Sequence, residues 1–379
     1  MSLSGEDALR LKVLLANPVQ AIRIDENNMV VFALTPDKEA KIALNPNCRA
    51  GQYLKQVREF LSGHVLGSPG GYPVYLKRWT RMGQARDESL ADMLMLGEPE
   101  AVIAVACAPG ITNELARRVW WIQQDAENAR RMLESTDVVS GDMGMILADF
   151  LVEFLPFESE PENIIRSVRL LLQGDLIDDA TRMKIWERGN SKSVFRIGFL
   201  DMTPDSLPQQ QPARHDYARY QQTLQQLAEA GNTVAPLLSV LLDSAGQSFL
   251  HTVQQVIKRP ASQEAVVALF DIIGQYFRVA SPEDIFSREV MDLISQADAY
   301  CHQENDLAAI VQAVPQLASE CRAMAVLGQV NEQVVLPVFA CTDAMGSVMR
   351  KKLEPITGPL RKELNSLLSP DCLWPEIIT

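Results

Sequence analysis

From residue 87 almost to its end, the chain is built of short runs in which apolar residues recur at steps of three and four, separated by compact turns. That period belongs to helices with one face in a core, so it fixes the molecule as mostly α before anything else is known. Leu90 to Leu96, Pro99 to Cys107, Thr112 to Trp121 and Ala126 to Leu133 are the first such runs. Pro99-Glu100, Pro161-Glu162 and Ser281-Pro282-Glu283 mark starts: the proline ring presets the first helical position, and the carboxylate faces the positive end of the helix dipole. Farther on, Tyr217, Tyr220, Leu224 and Leu227 trace a face ended by Gly231, Pro236 opens a longer stretch, and Val266, Leu269, Phe270, Ile273 and Phe277 trace another. Helices are also expected from Pro282, over Leu307 to Val314 and over Leu317 to Leu327. Val194 to Leu200 is too short for period to separate strand from buried helix, and its setting among helices favours helix.

Residues 19 to 44 differ. Val19 to Ile24, Met29 to Leu34 and Lys41 to Leu44 alternate as strands around the turns Asp25-Glu26-Asn27-Asn28 and Thr35-Pro36-Asp37, giving a three-stranded antiparallel meander. A sheet that small needs a covered face, and a helix over Gln52 to Leu61, with Tyr53, Val57 and Phe60 on one side, is expected to cover it. Three prolines and three consecutive glutamines within Thr203 to Ala213 predict an exposed linker. At 379 residues the chain exceeds what one core serves. The expected organisation is therefore a small α/β unit with a basic segment (1–86), a short-helix, solenoid-like region without a fixed repeat period (87–202), a linker (203–213) and a C-terminal helical bundle (214–379).

Several classes of function fall away. No run of about 18 apolar residues exists, since even Val234 to Leu242 meets Asp243, so no membrane span is expected. Glu6 and Asp7 break any export-signal pattern, and a cytoplasmic location is expected. Six scattered cysteines without a C-x-x-C pair predict buried, reduced thiols. Four histidines, none paired at ligand spacing, predict no metal centre and no other cofactor. Nor does a catalytic constellation emerge: His64 has no acid or nucleophile nearby in sequence, and Met143 and Met145 read as gap-filling core. Asp178-Asp179 and Glu158, Glu160 and Glu162 read as helix-start carboxylates, and Gly67-Ser68-Pro69-Gly70-Gly71 lacks phosphate-loop spacing.

One anomaly remains. Between Lys41 and Arg86 lie eight basic residues, among them Arg49, Lys55, Arg58, Lys77, Arg78 and Arg81, against the single acid Glu59, in a chain whose net charge is −13. Tyr72, Tyr75 and Trp79 are interleaved at helical steps. One reading is a surface for an acidic protein or RNA, carried by Lys55, Arg58, Lys77, Arg78, Trp79 and Arg81. The other is that the aromatics are core while the cations pair within the molecule.

The stretches 67–90 (GSPGGYPVYLKRWTRMGQARDESL), 97–101 (GEPEA) and 141–158 (GDMGMILADFLVEFLPFE) resemble the DsrS family of sulfur-oxidising bacteria, encoded with the dissimilatory sulfite reductase cluster. The resemblance implies a cytoplasmic accessory protein of sulfur metabolism, acting on the expression of that system, and supplies no catalytic residues. The expected function is thus non-enzymatic binding of a protein or RNA partner. The alternatives are a small-ligand carrier or enzyme whose site converges from distant residues, and a structural subunit of a larger complex.

Overall fold

The computed structural model describes residues 3–67, 87–282, 289–341 and 346–369, the side chains of 87–89 excepted. Among the described residues there are twenty α-helices and three strands, the latter all near the N-terminus. The chain divides into two compact units, Met1–Pro156 and Phe157–Thr379.

In the first unit, α1 (Gly5–Leu15) precedes β1 (Ala21–Asp25), β2 (Val30–Leu34), β3 (Glu39–Ala43) and α2 (Ala50–Val65). The strands form an antiparallel sheet in the order β1-β2-β3, with Ile22 opposite Ala33 and Val31 opposite Ile42. Its first turn is set by Asp25, whose carboxylate accepts from the Asn28 backbone N–H (3.0 Å) and side-chain amide (2.8 Å). The expected covering helix is present and longer than its periodicity indicated. Tyr53, Leu54, Val57 and Leu61 of α2 join Leu11 and Leu14 of α1 over Ile22, Val31 and Ala33, whereas Phe60 is only partly buried. The α1 helix, which the sequence reading passed over, thus supplies a second cover, and Ser4 Oγ caps it by accepting from the Asp7 N–H.

Six helices complete this unit: α3 (Asp87–Met93), α4 (Pro99–Ala106), α5 (Asn113–Ile122), α6 (Ala126–Met132), α7 (Thr136–Val139) and α8 (Asp142–Phe154). Thr112 and Asp125 cap α5 and α6 through the Leu115 and Asn128 N–H groups. The glycines of the 141–158 stretch have steric reasons. A Cβ on Gly144 would lie 2.5 Å from the Val139 carbonyl, and one on Gly141 2.2 Å from Asn113 Oδ1, which accepts from the Met143 N–H that opens α8.

The second unit is helical throughout: α9 (Pro161–Leu171), α10 (Asp179–Arg188), α11 (Val194–Met202), α12 (Tyr217–Glu229), α13 (Ala235–Leu242), α14 (Ser244–Lys258) and α15 (Gln263–Tyr276). It continues with α16 (Val290–Cys301), α17 (Asp306–Ala313), α18 (Ala318–Leu327), α19 (Leu336–Phe339) and α20 (Gly346–Leu367). The ambiguous run at 194 is helical and buried from Val194 to Leu200, and it approaches α9 so closely that a Cβ on Gly198 would meet Val168 at 2.6 Å. Pro161 and Glu162 stand at the start of α9 as expected; 283–288 lie outside the described residues, and α16 is described from Val290.

Two expectations need correction. The break between compact units falls at Pro156, and 203–213 packs within the second unit instead of linking two domains. Leu207 is 2% exposed, Gln211 N–H donates to Ser248 Oγ at 2.7 Å, and Ser244 Oγ donates to the Gln211 carbonyl at 2.6 Å. Side-chain hydroxyls thus satisfy a backbone that proline keeps out of helix. The described cysteines are free, but only Cys321 is buried; Cys48 and Cys301 are half-buried, and Cys107 and Cys341 are exposed at helix ends. Finally, α20 carries Pro355 and Pro359 within its length. Four residues apart, they lie on its more exposed side, where water can satisfy carbonyls that lose their ladder donors, while Leu353, Thr357, Leu360 and Leu364 face inward. No helix among the described residues is long and apolar enough to cross a membrane.

Candidate functional site

Of the six residues singled out for partner binding, Lys77, Arg78, Trp79 and Arg81 lie outside the described residues, as do Tyr72, Tyr75 and Arg86. Lys55 is exposed on α2. Arg58 is engaged within the molecule: its guanidinium pairs with Glu26 in the first sheet turn, and its Nε donates to the Gly97 carbonyl at 3.1 Å. There the intramolecular reading holds. Gly97 adopts a left-handed conformation with Ile24 pressed against it, a Cβ at that position lying 2.6 Å from Ile24 Cδ1, so Arg58 secures a crowded junction.

Cationic character nevertheless gathers at the sheet. Register places Arg23, Phe32 and Lys41 side by side across the three strands. The Arg23 guanidinium lies 4.7 Å from the Phe32 centroid and 5.1 Å from that of Trp121, and the Lys41 ammonium lies 5.6 Å from Phe32. Glu39 completes the face by accepting from Trp121 Nε1 at 3.0 Å, with Arg23 3.8 Å away. Each cation–ring contact contributes roughly 0.5–1 kcal/mol at such a site. Phe32 is flanked by two cations, which leaves it poorly disposed to stack a nucleobase.

The two edges of the sheet are unequal. Ile22 N–H, on the outer side of β1, donates to the Leu94 carbonyl at 2.9 Å, which closes that edge. At β3, the bonds from Leu44 N–H to the Met29 carbonyl (2.8 Å) and from Thr35 N–H to the Lys38 carbonyl (3.0 Å) set the ladder phase. Ala40 and Ile42 therefore bond to β2, and the backbone groups of Glu39, Lys41 and Ala43 point outward. Among the described residues the only partner seen for these groups is Arg10, whose Nη1 donates weakly to the Ala43 carbonyl at 3.4 Å.

Beside this open edge runs a groove of about 470 Å³ between α1 and β3, lined by Leu9, Arg10, Val13, Lys41, Ile42 and Ala43. Leu9 and Val13 are 64% and 60% exposed, unusual for branched aliphatic side chains on a helix that also contributes to the core. The position of α1 is fixed from below. Asp7 is fully buried, and its carboxylate accepts from the Tyr53 hydroxyl and from the Asn45 N–H at 2.8 Å; Ser4 Oγ lies 3.1 Å from the same hydroxyl. Burial, together with the adjacent Asp7 carboxylate, raises the Tyr53 pKa and keeps its proton in place as donor.

Sequence reasoning found Lys41 through the charge count but not Arg23, Phe32, Glu39 or Trp121, which meet only across strands and helices. Leu9 and Val13 carried a signal, an apolar step of four facing away from Leu11 and Leu14, that becomes legible once α1 is recognised as a helix. No family model, curated protein or solved structure matches the chain.

Proposed function

We propose that this chain is a non-enzymatic cytoplasmic accessory protein of dissimilatory sulfur metabolism that works by holding an extended, acidic segment of a partner protein along β3. The metabolic setting rests on the resemblance of 67–90, 97–101 and 141–158 to the DsrS family. The binding mode rests on one observation: β3 presents outward-facing backbone groups at Glu39, Lys41 and Ala43, bordered by the exposed Leu9 and Val13. An added strand would satisfy those groups, and alternate side chains would enter the groove. Charge selects the partner. Lys12, Lys38 and Lys41 are exposed around the edge with no carboxylate pairing them among the described residues, while Glu39 is bound to Trp121 Nε1, so an acidic segment is drawn in. The engaged state of Phe32 favours protein over RNA.

The test is a synthetic decapeptide of alternating valine and glutamate, with binding followed by fluorescence anisotropy at low and high salt. Binding that weakens with salt and protects the amides of residues 39, 41 and 43 from hydrogen exchange is expected. Lys41→Pro removes an outward N–H and the ammonium beside it but no ladder bond to β2, so the fold is retained while affinity falls about tenfold or more. Undiminished binding by that variant, or preferential capture of RNA, would sink the reading.

A further inference from the structure

The second unit contains a cavity of different character, independent of the sheet edge. It lies among the end of α14, the first half of α15 and the middle of α20, and is a partly open pocket of about 60 Å³. Its inner wall is apolar: Val266, Leu269 and Leu353 are each at least 96% buried. Its remaining wall carries Lys258, Arg350 and Arg361 against the single carboxylate of Glu354.

That carboxylate is already bound to Arg361. Arg350 is exposed and has no acidic partner among the described residues. Arg350 and Arg361 thus share one carboxylate between them beside a preformed apolar wall, an arrangement suited to an anion with an apolar tail. Burial, with Arg259 and Arg361 close by, lowers the Lys258 pKa.

We infer that this cavity binds a small aliphatic carboxylate, its tail against Val266, Leu269 and Leu353 and its carboxylate between Arg350 and Arg361. The volume sets the length of tail that is buried. A closed dry cavity of about 150 Å³ accommodates benzene, so 60 Å³ buries a tail of about two to four carbons, and a longer chain runs out into solvent through the open side. The Glu354–Arg361 pair selects the head group, because it shows that the Arg361 fork can meet a planar carboxylate here. Glu354 then acts as the resident competitor that an entering carboxylate displaces or joins.

The experiment is calorimetric titration of the full chain with acetate, propanoate, butanoate, pentanoate and hexanoate, with inorganic phosphate as the purely ionic control. Affinity is expected to rise about fourfold per methylene up to butanoate or pentanoate and then to stop rising, while phosphate binds at least tenfold more weakly. Arg350→Gln, an exposed change, should weaken the best carboxylate about tenfold, and Leu269→Ala should move the optimum to a longer tail. Val266→Ala gives the same reading through a smaller enlargement if Leu269→Ala does not fold. Equal affinity for acetate and pentanoate, equal binding of phosphate, or a chain-length optimum indifferent to both enlargements would overturn the inference.

Discussion

The two units use charge in opposite ways. In the first, ion pairs are mostly local and at least half wet: Arg10 with Glu6, Arg117 and Arg118 with Glu114, and the buried Arg130 and partly exposed Arg131 with the partly exposed Glu127 each join residues three or four apart on one helix. In the second, the principal pairs are buried or tie distant segments together. Arg214 holds Asp216 in a bidentate pair (2.6 and 2.9 Å) and reaches Glu320 at 2.7 Å, its side chain and that of Glu320 being only 6% and 8% exposed. Arg322 similarly bridges Asp298 (3.0 Å) and the buried Glu363 (2.6 Å). A helical bundle whose apolar stripes are much alike gains specificity of arrangement from such pairs, whereas the first unit draws it from a sheet register and one buried carboxylate.

The comparison predicts a graded response to removing single groups. The largest effect is expected at the second unit's core: Arg214→Met leaves the buried Glu320 carboxylate without its cation and should cost about 3–5 kcal/mol, whereas Glu320→Gln, which leaves Arg214 its bidentate pair with Asp216, should cost less. Urea unfolding followed by residue-resolved hydrogen exchange would locate the loss in 157–379, and the double variant Arg214→Met/Glu320→Leu should recover much of it. An Arg214→Met cost below about 1 kcal/mol would erase the distinction between the units.

An intermediate effect is expected at Asp7. Asp7→Asn keeps the shape but presents the Tyr53 hydroxyl and the Asn45 N–H with a poorer acceptor, at a cost of about 1–3 kcal/mol confined to the first unit. Because the same carboxylate sets α1 beside β3, this variant should also weaken the peptide binding proposed above, which anisotropy would read. Normal stability together with normal binding would show that α1 is held by its apolar face alone.

The smallest effect is expected at Glu114. Arg117, aided by Arg118, holds this carboxyl down at about 2, against the opposing push of burial, from an ordinary value of 4.5. A folded-state pKa that is depressed contributes stability above about pH 4.5, and that contribution is lost as pH falls from there through 2. Glu114 is 48% exposed, so solvent screening limits the pair to under about 1 kcal/mol, and Glu114→Gln should barely change the acid limb of the stability curve. A loss of several kcal/mol would mean that a local surface pair works as the buried ones do.

The sequence disclosed most readily the elements whose cause was local, although the Ser4 cap of α1 was passed over. Thr112 and Asp125 caps, the proline-glutamate starts at 99 and 161, and the Asp25 turn each act within a few residues, and the helices and strands they bound are present. The 203–213 segment misled because its composition is that of a linker, while the groups that tie it down, Ser244 and Ser248, lie more than thirty residues away. Proline in α20 concealed the longest described helix, since whether Pro355 and Pro359 are tolerated depends on which side meets water. At the candidate site the charge count located Lys41 and Lys55 but could not tell them from Arg58, whose partners come from Glu26 and Gly97.

Sequence by itself therefore determined the helical character, the meander and its turns, and the segregation of positive charge, because period, caps and counts are properties of neighbouring residues. Tertiary structure decided which ions are buried, which sheet edge stays open and where a cation-rimmed cavity forms. Those outcomes depend on contacts between residues far apart in the chain: Leu94 closes β1, nothing in the described chain extends β3, and Arg361 meets Val266 and Leu269 only where α20 packs against α14 and borders the same pocket as α15.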